Sequence, residues 1–183
     1  MGETVFPLLN REQLPEHMRS VWDRSEVRRG ESRFIAGIGQ APEMFNWYSD
    51  DFYNKLFYGG KVPVKYKELG RLRLSEVHGC KSCNKGNRLD ALENGLSDVQ
   101  ISQIGNPKHA CFDDADQAVM SLADLVSLDG AGSQLSTELY QSLKSHFSDE
   151  QIFELGMVLA MLSGMARFLF AFDLVEKEDY CAF

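Results

Sequence analysis

The stretch Glu76–Asn87, EVHGCKSCNKGN, sets Cys80 and Cys83 three residues apart, with His78 just before them and Asn87 just after. If a helix begins at Cys80, the two thiols are i, i+3 neighbours on one face, and Asn87 joins that face at i+4 from Cys83. The first turn of a helix presents unpartnered N–H groups and positive partial charge. Both stabilise a thiolate, the reactive form of cysteine. Dipole reasoning by itself favours the earlier sulfur, Cys80, expected to be the more exposed. The spacing also lets a disulfide close once one sulfur is oxidised.

Two other chemistries compete for a single Cys-x-x-Cys. A structural zinc site needs four ligands, commonly two such pairs or one pair with two histidines. The other close candidates, His109 and Cys111 in HAC, lie past a helix and a Pro-containing turn at unusual spacing, so neither metal nor cofactor is expected. Two buried structural cysteines are the second alternative. Cys111 and Cys181 read as packing or incidental thiols.

The elements around the pair read as helices nearly throughout. NREQLPEHMRSVWDRSEVRRG suggests a helix ending near Gly30, and APEMFNWYSDDFYNKLFYGGK a second, stopped by Gly59-Gly60. Its aromatics read as core or interface. Pro63 suits the first turn of a third helix, PVKYKELGRLRLSEVHG. There Tyr66, Leu69, Leu72 and Val77 mark an apolar arc, with Arg73 and Glu76 inside it as an i, i+3 pair and Glu68 at its edge. A fourth helix runs from about Cys80 to LENG, with Gly95 as its cap. Ser97 with Gln100 and Ser148 with Gln151 have capping-box spacing, and Asp113 or Asp114 is placed to cap ADQAVMSLADLVSL. STELYQSLKSHF and DEQIFELGMVLAMLSGMARFLFAF complete the set. DGAGSQ, Asp129–Gln134, is the clear flexible turn.

Composition narrows the function classes. The 183 residues are 44% hydrophobic and 25% charged, which fits one globular domain. The net charge is −8, and no block of basic residues appears, so nucleic acid is not an expected partner. The most basic stretch, EVRRGESR, reads as a solvated helix end. The opening MGETVFPLLNREQLPEHM has no basic region leading into an apolar one, so no secretory leader is expected. Lipidation at Gly2 is discounted because Val5 and Phe6 follow. The most apolar run, Met157–Ala166, is too short to span a bilayer and reads as a helix buried in a core or subunit interface. A cytoplasmic protein without a membrane partner is the expectation. In a reducing compartment a close cysteine pair points to redox chemistry or metal binding rather than to a permanent disulfide framework.

KELGRLRLSEVHGCKSCNKGNRLDALENGLS resembles the signature of the carboxymuconolactone decarboxylase-like superfamily, and within it the alkyl hydroperoxidase D (AhpD-like) branch. That signature has a Glu twelve residues before the first Cys, met here by Glu68, often a Gly before it, met by Gly79, and then the Cys-x-x-Cys itself. The resemblance implies an all-α, AhpD-like fold in a single domain over 1–183. Its signature core would span 62–128, with additional N-terminal helices in 1–61 and C-terminal helices in 134–175. It implies homo-oligomers, trimers or hexamers and in some cases dimers. It also implies a mechanism: Cys83 as the peroxidatic thiolate attacking a small hydroperoxide, Cys80 resolving it as a disulfide, Glu68 starting a proton relay, and an external thiol or dithiol restoring the pair.

Two positions depart from that pattern. The His four residues after the second Cys is Asn87 here, and the residue before the second Cys, His in the hydroperoxidase itself, is Ser82. Asn can hold a water but passes no proton at neutral pH. His78 turning toward the thiols, or Glu68 acting through a water on Asn87, are the substitutes open to this sequence. Taken alone, His78 reads as a capping or solvated residue at a helix end. The alternatives to a peroxidase are a non-catalytic or redox-sensing oligomer of the same fold, or carboxymuconolactone decarboxylase-like activity.

Overall fold

The computed structural model describes residues 4–130 and 133–183. The chain forms helices α1 (Glu16–Arg29), α2 (Arg33–Ile38), α3 (Pro42–Asn46), α4 (Val64–His78), α5 (Lys81–Glu93), α6 (Asp98–Ser102), α7 (Asp114–Val126), α8 (Thr137–Lys144) and α9 (Asp149–Ala171). Among the described residues there is no sheet, so the expected all-α class is the observed one. Ala131 and Gly132 of the expected Asp129–Gln134 turn lie outside the described residues.

Local signals place most boundaries. Gly30 ends α1 in the left-handed region, and Gly79 does the same for α4. The Ser97/Gln100 and Ser148/Gln151 capping boxes both form, and Asp113 caps α7 by accepting from the Asp116 N–H. Cys80 is itself the N-cap of α5, its sulfur accepting from the Cys83 N–H. Asn94 caps the other end, with left-handed Gly95 just beyond it.

Helix α2 was not legible in the sequence; its six residues are too few to display a period. Past Asn46 the backbone continues with π winding over Trp47–Tyr58. Hydrogen bonds from i to i+5 bring residues five apart roughly over one another. In an α-helix the same residues would stand about 140° apart.

Helix α4 is the central strut, packed against α5, α7 and α9. It is buried on nearly every side, including Lys67, Glu68, Arg71, Ser75 and His78. The apolar arc therefore accounts for only part of its burial, and most of the polar residues are satisfied by partners. The expected Arg73–Glu76 pair does not form. Arg73 bonds Asp124 of α7 at 2.7 Å, and Glu76 accepts from Arg88 of α5 at 2.9 Å, so both tie α4 to neighbouring helices. Lys67 Nζ reaches the Leu56 carbonyl and Glu154 of α9.

Leu69, Leu72, Val119, Met120, Leu155 and Leu159 fill the main core between α4, α7 and α9. Phe52 and Phe57 of the π stretch pack on Val158, so those aromatics are core as expected. The apolar run Met157–Ala166 belongs to a helix of 23 residues that is long and apolar enough to cross a membrane by length and composition. Its shortness thus carries no argument against a membrane. In the fold α9 packs on α4, α7 and α8.

Candidate active site

The α4–α5 corner builds the site. Gly79 (φ 67°) reverses the chain after His78, and Cys80 then starts α5. Cys80 and Cys83 are joined by a disulfide, with Cα atoms 5.2 Å apart. Their exposure differs in the opposite sense to the dipole expectation. Cys80 is 1% exposed, whereas Cys83 is half-buried, and both line a cavity. A residue beyond the range of local pattern, Lys177, covers Cys80 by an antiparallel bridge to it.

The cavity holds about 600 Å³ and is walled by α1, the π stretch, α4, α5 and α9. Helix α5 contributes Cys83, Asn87, Asp90 and Asn94, a stripe at i, i+4, i+7 and i+11. The π stretch contributes Tyr48, Tyr53 and Tyr58, at intervals of five and so on one face of the π helix. Tyr48 and Tyr53 meet edge to face at 5.1 Å. Burial pushes the Tyr48 phenol well above its ordinary range and Tyr58 up to about 12, so both remain hydrogen-bond donors at neutral pH. Leu162, Met165, Ala166 and Leu169 of α9 close the apolar side.

Glu68 and Arg71 lie one turn apart on α4, both buried and ion-paired. Arg71 also bonds Asp90 at 3.0 Å and rests against the Phe57 ring, 5.0 Å from its centroid. Burial works against the charge of Arg71, but Tyr53, Glu68 and Asp90 more than offset it. Burial also raises the Glu68 carboxyl above its usual range, although Arg71 pulls the other way. Asn94 donates to Glu68 Oε1 at 3.4 Å, so the carboxylate meets the lower end of the α5 stripe. Arg71 and Asp90 line the cavity together with both cysteines.

The other candidates fall into place around this wall. Asn87 is buried and lines the cavity. Ser82 is buried, its hydroxyl accepting from the Glu176 N–H at 3.0 Å. His78 is not solvated: it is 1% exposed, and its Nε2 accepts from the Leu128 N–H at 3.0 Å. That bond puts the proton on Nδ1, for which no acceptor stands among the described residues. Burial lowers the His78 pKa to about 4, so the ring is neutral and serves as an N–H donor rather than an acid. Sequence reasoning missed Arg71, Asp90 and the Tyr48–Tyr58 ladder. The i+7 step from Cys83 to Asp90 was a usable signal; the ladder was not, because its alignment depends on π winding.

Among the described residues no three His, Cys, Asp or Glu side chains converge to hold a metal ion. His109 Nδ1 instead accepts from the Cys111 N–H.

Residues 42–125, from α3 through α7, match the model of the Carboxymuconolactone decarboxylase family. Over those residues, just under half of the chain, the sequence is similar to that family. No curated protein matches the sequence closely enough to count as a relative. Solved structures share the fold at low identity. An uncharacterized peroxidase-related protein with an alkylhydroperoxidase AhpD core, from Ralstonia eutropha JMP134, is 15% identical (98% of this chain, 94% of that one, TM-score 0.74). The debrominase Bmp8, as a point variant in complex with 2,3,4-tribromopyrrole, is 17% identical (97% and 93%, TM-score 0.75). An uncharacterized peroxidase-related protein from Silicibacter sp. TM1040 is 15% identical (99% and 97%, TM-score 0.71).

Proposed function

We propose that this protein is a cysteine-dependent oxidoreductase of the carboxymuconolactone decarboxylase-like superfamily that reduces organic hydroperoxides. The observation that carries the reading is the asymmetry of the bonded pair: both residues line the cavity, but Cys83 is half-buried whereas Cys80 is 1% exposed. A nucleophile must meet its substrate, whereas a resolving thiol needs to meet only the nucleophile. The Cys83 thiolate attacks the outer peroxide oxygen, giving a sulfenic acid and an alkoxide that takes a proton to leave as the alcohol. The Cys80 thiol then displaces the hydroxyl as water and closes the disulfide. An external dithiol returns two electrons and two protons.

The proton for the alkoxide comes from water held along Asn87 and the Tyr48–Tyr58 ladder, with Glu68 as the buried reservoir. Its raised pKa supports that role, as does its contact with Asn94 at the foot of the α5 stripe. His78 adds an N–H donor and no charge. A cytoplasmic location would supply the thiol reductant. Exposed Phe153, Met157 and Phe168 on α9 support self-association as a homo-oligomer.

A second reading is favoured by the aromatic wall of the cavity, and by the fold shared with a debrominase. The same dithiol can pass its two electrons to a carbon–halogen bond of an aromatic ring, giving the dehalogenated ring, halide and the disulfide. One experiment separates the readings. Fully reduced protein is given one equivalent of an organic hydroperoxide or of a bromopyrrole, and free thiols are counted against time. Loss of two thiols with a Cys80–Cys83 bond on hydroperoxide supports the peroxidase. Reaction with the bromopyrrole alone replaces it with the dehalogenase, and reaction with neither overturns both.

A further inference from the structure

The carboxyl-terminal segment past α9 folds back over the start of α5. The Glu176 carbonyl accepts from the Lys81 N–H at 2.9 Å, Glu178 N–H donates to the Gly79 carbonyl at 2.8 Å, and Lys177 bridges Cys80. This strap carries Cys181 into the apolar cluster that holds Cys80 and Cys83, with Phe170 and Val175. The approach is close because residue 79 is glycine. A Cβ placed there would stand 2.8 Å from the Cys181 Cβ and 2.9 Å from its Cα. Three cysteines thus share one cluster, two of them already bonded, and Cys181 is the third, not bonded and half-buried.

The same corner holds a donor without an acceptor. His78 Nδ1 is buried and unpartnered among the described residues, and its ring meets Phe183 of the strap edge-on, centroids 6.0 Å apart. A thiolate formed in this cluster would supply the acceptor the imidazole lacks.

We infer that Cys181 is a third redox thiol, which exchanges with the Cys80–Cys83 disulfide and relays reducing equivalents to it. The inference rests on the oxidoreductase reading for its purpose, but not for its chemistry. The Cys181 thiol loses its proton to water, and its thiolate attacks Cys80 Sγ. A Cys80–Cys181 bond forms, the Cys80–Cys83 bond breaks, and Cys83 leaves as the thiolate facing the cavity. No net oxidation occurs in this step. An external dithiol then reduces Cys80–Cys181 through the half-buried Cys181 sulfur and is itself oxidised to a disulfide. The arrangement regenerates the nucleophile while Cys80 stays under the strap.

The test omits hydroperoxide, so that it does not depend on the proposed substrate. Reduced Cys83→Ser protein, shown folded by circular dichroism, is oxidised with one equivalent of diamide and mapped by mass spectrometry. An intramolecular Cys80–Cys181 bond with Cys111 left free is the expected result. Cys80 remaining free, or pairing only with Cys111 or between molecules, overturns the inference. A second measurement uses the oxidised native chain and Cys181→Ser. Reduction by dithiothreitol should slow about tenfold in the variant as the intramolecular step is lost, and an unchanged rate overturns the relay. If Cys80–Cys181 forms while the native protein leaves hydroperoxide unconsumed, the exchange stands and the peroxidase reading alone fails.

Discussion

Arg71 and Asp90 join α4 to α5 by an ion pair of 3.0 Å, two steps along the stripe that begins with Cys83. The same guanidinium holds Glu68, so a single cation serves two carboxylates, one buried and one on the cavity wall. Arg28 and Arg29 of α1 complete the set around Asp90. The corner carrying the thiols is therefore braced by charge on one side and by the strap on the other.

Removing the cation should be costly. Arg71→Met leaves Glu68 buried without its cation, which typically costs about 3–5 kcal/mol. Urea unfolding should show that loss, and adding Glu68→Gln should recover a large part of it. If the double variant is no more stable than Arg71→Met, Glu68 does not carry the cost.

The two cysteines should separate cleanly by substitution. Cys83→Ser should abolish hydroperoxide turnover. Cys80→Ser should consume one equivalent and stop at a sulfenic acid, detectable by dimedone labelling and mass spectrometry. Full turnover by Cys83→Ser would end the assignment of Cys83 as nucleophile.

Acid should weaken the fold through His78. Its folded pKa of about 4 lies below its ordinary value of 6.5, so between those limits the unfolded chain binds more protons. Stability contributed by the neutral ring is full above pH 6.5 and is lost as pH falls toward 4. Glu68 acts in the opposite sense, because burial raises its pKa and the folded state takes up the proton first. Urea midpoints measured across this range should therefore fall less steeply with acid in His78→Gln than in the native chain.

Gly79→Ala tests the seating of the strap. The residue is left-handed, which costs a side chain about 1–2 kcal/mol, and its Cβ would strike Cys181. Hydrogen exchange should quicken at Lys81 and Glu178, whose N–H groups bond across that contact. Unchanged exchange there would mean that the strap is held independently of Gly79.

Charge placed on α9 should reveal any self-association. Phe153 and Met157 are the most exposed apolar side chains of that helix. Phe153→Glu with Met157→Glu should convert an oligomer to monomer, read by light scattering after size exclusion, without touching the thiols.

Much of the architecture was written in local chemistry. Gly30 and Gly79 stop their helices, Ser97 and Ser148 start theirs, and the Cys-x-x-Cys sits at a helix start because Gly79 ends the one before it. These signals act over a few residues, which is the range that sequence reading covers. The all-α class and the pair on one helical face followed from them.

Only the tertiary structure decided which sulfur is covered, because the cover comes from Lys177, nearly a hundred residues downstream of Cys80. It decided that Arg73 and Glu76 pair with α7 and α5 rather than with each other, since a buried charge takes whichever partner packing brings to it. It set Tyr48, Tyr53 and Tyr58 on one face through a winding that no α period would suggest. It also carried Cys181, which reads in the chain as an incidental thiol, to the cluster around the disulfide. The sequence by itself determined the reactive pair and the helices that present it. Contacts between residues far apart in the chain decided how that pair is shielded and what faces it.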